Sequence, residues 1–319
     1  MLELIVLCVS CFALTLVLVR AIAKRNLKAG IKGTDINKAS KPELPESTGI
    51  ALLLPVWITA IVASLAKMDF NFIAWAVMVS GFSIVGYLDD MKHKVTAKAI
   101  PWRFRAAVIA VLSLLFSFIF FGSDFLLVVL AALYLAGVAS FENTFAGLNG
   151  LEAGSGLILA VFFTIVLSYG HTNGQEYVHL VLLPIVCSIL AFLMLNKYPA
   201  KVFPGDSGTL LIGSSIAGIV VMQRSLWLMV VTFAFFLPHI IDFALKIVTN
   251  PKDPSQKKEP PYKINKDGTL SVPESRKLDF AKLLVLLFGP KKEPVLVAMM
   301  WLCVAANCAF WTLVLFLPK

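Results

Sequence analysis

Ten apolar stretches recur along the chain, at about 2–22, 47–66, 70–88, 104–122, 124–140, 155–170, 177–195, 209–223, 225–245 and 294–317. An α-helix needs roughly 20 apolar residues to cross a hydrocarbon core about 30 Å thick. The pattern therefore predicts an all-α polytopic membrane protein with about ten transmembrane helices, residues 1–319 forming a single integral membrane domain. Segment 278–288, LDFAKLLVLLF, is too short to span. It is expected as an interfacial helix inside a long loop, 246–293. The first stretch has no basic region before it and no clear cleavage site, so it is expected as a retained helix.

Composition supports this class. Of 319 residues, 59% are hydrophobic and 15% charged, where soluble domains average about 25% charged. The net charge is +9, and its distribution carries the information. Lys67, Arg224 and Lys319 aside, the 28 Lys and Arg fall on or beside loops 23–46, 89–103, 141–154, 196–208 and 246–293. The positive-inside rule places these loops in the cytoplasm and both termini outside. Topology accounts for the basic bias, so no nucleic acid partner is expected. The five cysteines all fall within apolar segments and read as small packing residues.

The unusual polar residues collect on that same side. The run 70–88 carries no charge and ends at GYLDD, Gly86 to Asp90. An aspartate at the bilayer centre costs roughly 2.5–3.5 kcal/mol on insertion scales. Two adjacent carboxylates also repel, so a cation is expected beside Asp89 and Asp90. Loop 141–154, FENTFAGLNGLEAG, carries Glu142, Asn143, Asn149 and Glu152 without a basic residue. Loop 196–208, NKYPAKVFPGDSG, turns at Pro204-Gly205, and Asp206 or Ser207 stands where an N-cap is expected.

Oxygen ligands with room for water suit Mg²⁺, which binds one or two protein groups together with substrate phosphates. Lys92, Lys94, Lys98, Lys197, Lys201 and Lys263, near in sequence, suit phosphate oxygens. The combination suits phosphoryl transfer. Each patch alone also reads as a solvated helix end, a cap or a turn; their occurrence on successive loops of one side favours chemistry. An ion-coupled transporter is the competing class, and it expects acids near the bilayer midplane. Here only His239 and Asp242, in the ninth stretch, lie deeper. They read as packing partners of another helix or as functional groups.

GYLDD, NTFAGLNGLEAG and KVFPGDSGTL, in this order, resemble the polyprenyl-phosphate N-acetylhexosamine-1-phosphate transferases of glycosyltransferase family 4. GTDINKASKPELPESTG, at 33–49, together with NGLEAG resembles the eukaryotic and archaeal branch that makes GlcNAc-diphosphodolichol, and the compact length leans archaeal. The resemblance implies transfer of GlcNAc-1-phosphate from UDP-GlcNAc to dolichyl or another polyprenyl phosphate, with release of UMP. This is the first step of lipid-linked oligosaccharide synthesis for protein N-glycosylation. Another UDP-N-acetyl sugar or acceptor is the sibling reading.

The resemblance further implies Mg²⁺, with Mn²⁺ as a substitute, held by Asp206 and Asn143, with Asp89, Asp90 and Asp206 as the catalytic acids. It places Asn149, Gly150, Glu152, Phe203 and Lys263 on the nucleotide sugar, and Lys98 and Glu46 on the lipid phosphate. A homodimer is implied by analogy. The membrane would be the cell membrane in an archaeon and the endoplasmic reticulum in a eukaryote. One stretch departs from the family pattern. Where relatives carry an Arg- or His-rich cluster, this chain reads KKEPPYKINKDGTL, with Lys263 as the stand-in.

Overall fold

The computed structural model describes residues 2–96, 100–169, 175–250, 260–273 and 277–316, with side chains of 94–96 and 175–178 outside that description. Its helices are α1 (Leu2–Lys28), α2 (Leu53–Lys67), α3 (Asn71–Thr96), α4 (Trp102–Phe121), α5 (Phe125–Thr144), α6 (Leu151–Tyr169), α7 (Gln175–Asn196), α8 (Gly205–Met222), α9 (Leu226–Ala234), α10 (Leu237–Val248), α11 (Phe280–Phe288) and α12 (Glu293–Phe316). Among the described residues, nine spans are long and apolar enough to cross a membrane, and the α9–α10 pair makes a tenth if counted as one. The chain is a multi-pass integral membrane protein. Helices satisfy every backbone group internally, which a hydrocarbon environment requires.

The ninth stretch, expected as one span over 225–245, is two helices bent by 63°. Pro238 opens α10 and has no N–H to continue the ladder. The carbonyls freed at the break are met from α12: Asn307 Nδ2 donates to Ala234 O and Phe235 O, both at 2.9 Å. At these two carbonyls a side chain takes the place of the lost backbone bonds.

Helix α8 is the axis of the bundle, with 89% of its span buried, against 17% for α1 and 22% for α4 and α12. The outer helices turn Leu, Val and Phe outward, as lipid-facing surfaces do. Small residues let α3 and α5 close on α8. A Cβ on Gly86 would stand 2.6 Å from the backbone N of Ser207. Only a glycine there permits this approach of α3 to the start of α8. Trp75 secures the other end of the same contact by donating to Ser215 O at 2.9 Å.

Two small antiparallel sheets lie outside the helices. Strands β1 (Lys32–Thr34) and β2 (Glu43–Pro45) pair with Lys32 opposite Pro45. A 3-10 turn, Thr48–Leu52, follows and is tied to the loop before α8 by Thr48 N to Phe203 O (3.1 Å) and Gly49 N to Pro204 O (3.0 Å). Strands β3 (Lys263–Ile264), β4 (Thr269–Ser271) and β5 (Lys291–Lys292) form the second sheet and lead into α12. The short segment expected over 278–288 is α11. It has nine residues, is capped by Asp279, buries Phe280, Leu284 and Val285, and leaves Leu286, Leu287 and Phe288 exposed.

Candidate active site

The ends of α3, α5 and α8 meet at one end of the bundle and bring Asp89, Asp90, Asn143 and Asp206 into one cluster. Because Gly86 puts α3 against the start of α8, both acids one turn later reach the first turn of α8. Arg105, from the first turn of α4, stands between them. Its Nη1 donates to Asp89 Oδ2 and to Asp206 Oδ2, each at 2.5 Å. Asp89 Oδ1 accepts the backbone N–H of Ile100 at 2.6 Å, so its second oxygen holds the chain entering α4.

Asp90 accepts from Ser47 Oγ at 2.6 Å and from the Asp206 backbone. Asn143 hydrogen-bonds the Asp206 side chain, and its Oδ1 accepts from Thr209 Oγ1 at 2.5 Å. Asp89 and Asp90 are buried, while the Asp206 and Arg105 side chains keep 28% of their surface exposed. Two of the three carboxylates, Asp89 and Asp206, thus share one guanidinium, and Asp90 stands beside Asp206.

The expected N-cap is not there. Helix α8 begins at Gly205, its cap position is Pro204, and no side chain caps it. Asp206 lies inside the first turn, where its carboxylate still faces the positive end of the helix but points into the cluster. Gly205 has φ 66°, a conformation that favours glycine, and a Cβ there would press on Asp90 and Ser47. The turn that sets Asp206 therefore also makes room for Asp90.

The second half of loop 141–154 belongs to a different network. Asn149 is 4% exposed. Its Oδ1 accepts from Lys38 Nζ (2.8 Å) and Ala200 N (2.9 Å), and its own N–H donates to Glu293 Oε1 at 2.7 Å. Lys38 also meets Glu293 Oε2 at 2.9 Å and Asp35 Oδ2 at 2.6 Å, with its ammonium 4.6 Å from the Tyr198 ring centre. Burial alone would lower the pKa of Lys38. The hydrogen bonds and charges of Asp35 and Glu293 outweigh it and raise the pKa above the ordinary lysine value.

Asn37 Nδ2 adds a bond to Gly147 O at 2.8 Å, and Glu152 Oε1 accepts from Gly147 N at 3.2 Å. Gly150, at φ 82°, sits close under Lys197, where a Cβ would come 3.0 Å from the Lys197 Cα.

The model of the family described as glycosyl transferase family 4 matches residues 72–224. A protein of Sulfolobus acidocaldarius, provisionally named a UDP-N-acetylglucosamine–dolichyl-phosphate N-acetylglucosaminephosphotransferase, is 30% identical over 254 residues, covering 75% of this chain and 76% of the relative. A protein of Methanocaldococcus jannaschii, provisionally named a glycosyltransferase, is 28% identical over 85% of this chain and 83% of its own length. The phospho-N-acetylmuramoyl-pentapeptide-transferase of Acetivibrio thermocellus is 25% identical over 66% of this chain and 68% of its own. The chain belongs to glycosyl transferase family 4.

Within this family member the predicted site residues divide by place. Asp89, Asp90, Asn143 and Asp206 share one cluster. Glu46 follows β2 with its carboxylate against Gly33, and the Phe203 ring lies against the same face of that glycine, 3.2 Å from where a Cβ would stand. Glu152 and Gly150 shape the loop that carries Asn149. Lys263 is exposed on β3, on the wall of a cavity of about 600 Å³ that Lys41, Tyr262 and Asn265 also line. Lys98 lies outside the described residues.

The cation beside the paired acids was expected to be a metal helped by lysines. The side chain found there is Arg105. At the start of a predicted span it reads as one more flanking basic residue, and only the fold turns it onto the acids. Lys38 and Glu293 were likewise missed, and so was Ser47.

His239 is fully buried, with Nε2 3.3 Å from Glu142 Oε2 and its ring 4.0 Å from that of Phe145. Asp242 accepts from Phe280 N (2.9 Å) and pairs with Lys246 (2.7 Å), which in turn donates to Thr144 O at 2.5 Å. This polar face of α10 grips the end of α5, where Asn143 sits.

Proposed function

We propose that the protein transfers GlcNAc-1-phosphate from UDP-GlcNAc to dolichyl or a related polyprenyl phosphate and releases UMP. The observation that carries this reading is the convergence of Asp89, Asp90, Asn143, Asp206 and Arg105 at the ends of four helices. The kinship with the provisionally named dolichyl-phosphate transferase of Sulfolobus acidocaldarius supports the choice of donor and acceptor. A site at helix ends suits a lipid whose charged head stays at the membrane surface while its tail lies among acyl chains. The charge distribution along the chain supports a cytoplasmic position for it.

No cluster of three or more His, Cys, Asp or Glu able to hold a metal occurs among the described residues. The donor set is a smaller one, the Asp206 carboxylate with the Asn143 carboxamide, beside two further acids. It fits Mg²⁺, which commonly takes one or two protein groups plus substrate phosphates and water. Asp206 and Asn143 would hold the ion, which supplies charge neutralisation on the phosphates.

Arg105 offers a guanidinium with donors beyond those given to the acids, and phosphate oxygens match its geometry. An oxygen of the acceptor phosphate attacks the phosphorus that carries the sugar. The bond from that phosphorus to the UMP oxygen breaks as the new one forms. One pyrophosphate linkage replaces another, so no ATP is required.

A phosphate monoester is largely a dianion at neutral pH, its second pKa being about 6. Asp89 and Asp90 accordingly need not remove a proton; their hydrogen bonds to Arg105, Ile100 and Ser47 position the cluster.

The second reading keeps the chemistry and changes the sugar. It is favoured by the absence of Arg and His from residues 257–270 and by the kinship with the transferase of Acetivibrio thermocellus. The test is UMP release by purified protein with Mg²⁺ and dolichyl phosphate, comparing UDP-GlcNAc, UDP-GalNAc and UDP-glucose. Release that needs lipid, metal and UDP-GlcNAc is the expected outcome. Release favouring another donor supports the second reading, and none with any donor overturns the pairing of these donors with dolichyl phosphate.

A further inference from the structure

The Asn149 carboxamide is held from one side only. Both groups on its Oδ1, the Lys38 ammonium and the Ala200 N–H, are donors without acceptor capacity. The atom between them must be the oxygen, whichever way a carboxamide is drawn. Its Nδ2 therefore faces the other way, and among the described residues it donates to no protein group. Asn149 N–H is itself held by Glu293, which also fixes Lys38. The loop, the amide plane and the amide direction are thus set by one closed unit.

We infer that Lys38 is a specificity-determining residue: by locking Asn149 Oδ1 it presents Nδ2 as an obligate donor, which selects a nucleotide base offering a carbonyl over one offering an amino group. The inference rests on the proposed use of a UDP-sugar and on the placement of Asn149 against the nucleotide sugar that the family resemblance implies, with its base as the part met. Uracil carries a carbonyl at the ring position where cytosine carries an amino group. With cytosine a donor would face a donor, and a buried unpaired donor costs about 1–3 kcal/mol. Without Lys38, only the single Ala200 N–H opposes rotation of the amide by half a turn. The charged bond is the stronger of the two locks. Lys38 touches the base only through Asn149 and is a positioning residue.

The probes are UMP and CMP, with binding to the full-length detergent-purified protein measured by calorimetry. The wild type is expected to prefer UMP by about tenfold or more, which corresponds to about 1.4 kcal/mol. The pyrimidin-2-one ribonucleotide, which has neither group at that position, should fall between them. Lys38→Met should reduce the UMP preference several-fold while leaving the KM for the lipid acceptor unchanged. Asn149→Leu, which removes the donor without disturbing the Lys38–Asp35 pair, should bring the two nucleotides within about twofold, since neither then gains the bond.

Equal binding of UMP and CMP by the wild type, or no binding of either, overturns the inference. So does an unchanged preference in folded Lys38→Met or Asn149→Leu. Failure of the proposed reaction is separately visible: a wild type that releases no UMP from any donor yet prefers UMP to CMP sinks the reaction and leaves the base selection standing.

Discussion

Two charged clusters stand at the same end of this membrane bundle, and they are built on opposite plans. In the first, Asp89 and Asp206 share Arg105, Asp90 stands beside Asp206, and the Asp206 and Arg105 side chains keep 28% of their surface exposed. In the second, Lys38 is enclosed by Asp35, Glu293, Asn149 and the Tyr198 ring, and the Glu293 carboxylate has both oxygens in use. Only 15% of the Lys38 side chain is exposed. The more accessible cluster gains most from an incoming cation or phosphate. The closed one spends its charges on its own members, holds chain segments in register, and offers a ligand only the Asn149 Nδ2 donor. Charge near a membrane edge thus serves two ends here, and exposure separates them better than residue type does.

The largest expected effect breaks the comparison if it is absent. Asp206→Ala should lower turnover by about a thousandfold, the scale seen when a preorganised electrostatic group is lost, with the unfolding temperature nearly unchanged. Near-normal UMP release would remove Asp206 from the reaction, and a collapse in stability would make the open cluster as structural as the closed one. The converse holds for Glu293→Ala. It leaves Lys38 with Asp35 as its one carboxylate and the buried Asn149 N–H without an acceptor, and an unsatisfied buried group costs about 1–3 kcal/mol. Urea or thermal unfolding in detergent should show it, and an unchanged midpoint would mean the closed cluster stabilises nothing.

The smallest effect sharpens the assignment of Lys38. Its pKa in the folded protein is raised above the unfolded value of about 10.4. The stability it contributes is fully present below that value and is lost only as pH climbs through the folded pKa. The difference in unfolding temperature between wild type and Lys38→Met should be flat from about pH 6 to 9. A difference already shrinking across that window would place Lys38 outside the ion pairs drawn for it.

Much of the open cluster could be read along the chain because its members announce themselves. Asp89 and Asp90 end an uncharged run, Asn143 sits in a loop without basic residues, and Asp206 follows a Pro-Gly turn. Arg105 makes no such announcement, since a basic residue at the start of a span is ordinary in a membrane protein. The closed cluster is harder still: Lys38 and Glu293 are 255 residues apart. Nothing local in either says that they meet. The break between α9 and α10 was half visible, in Pro238; the Asn307 side chain that makes the break tolerable comes from α12.

The sequence by itself determined the number and order of apolar segments and the side chains gathered at their ends. Hydropathy over twenty residues is a local property, and a bilayer turns it directly into helices. The tertiary structure decided which of those ends touch, and so which cation meets Asp89 and which way the Asn149 amide points. Those outcomes depend on how closely two backbones can approach. In this bundle that distance is governed by a few positions such as Gly86, where the absence of a single Cβ lets α3 lie against α8.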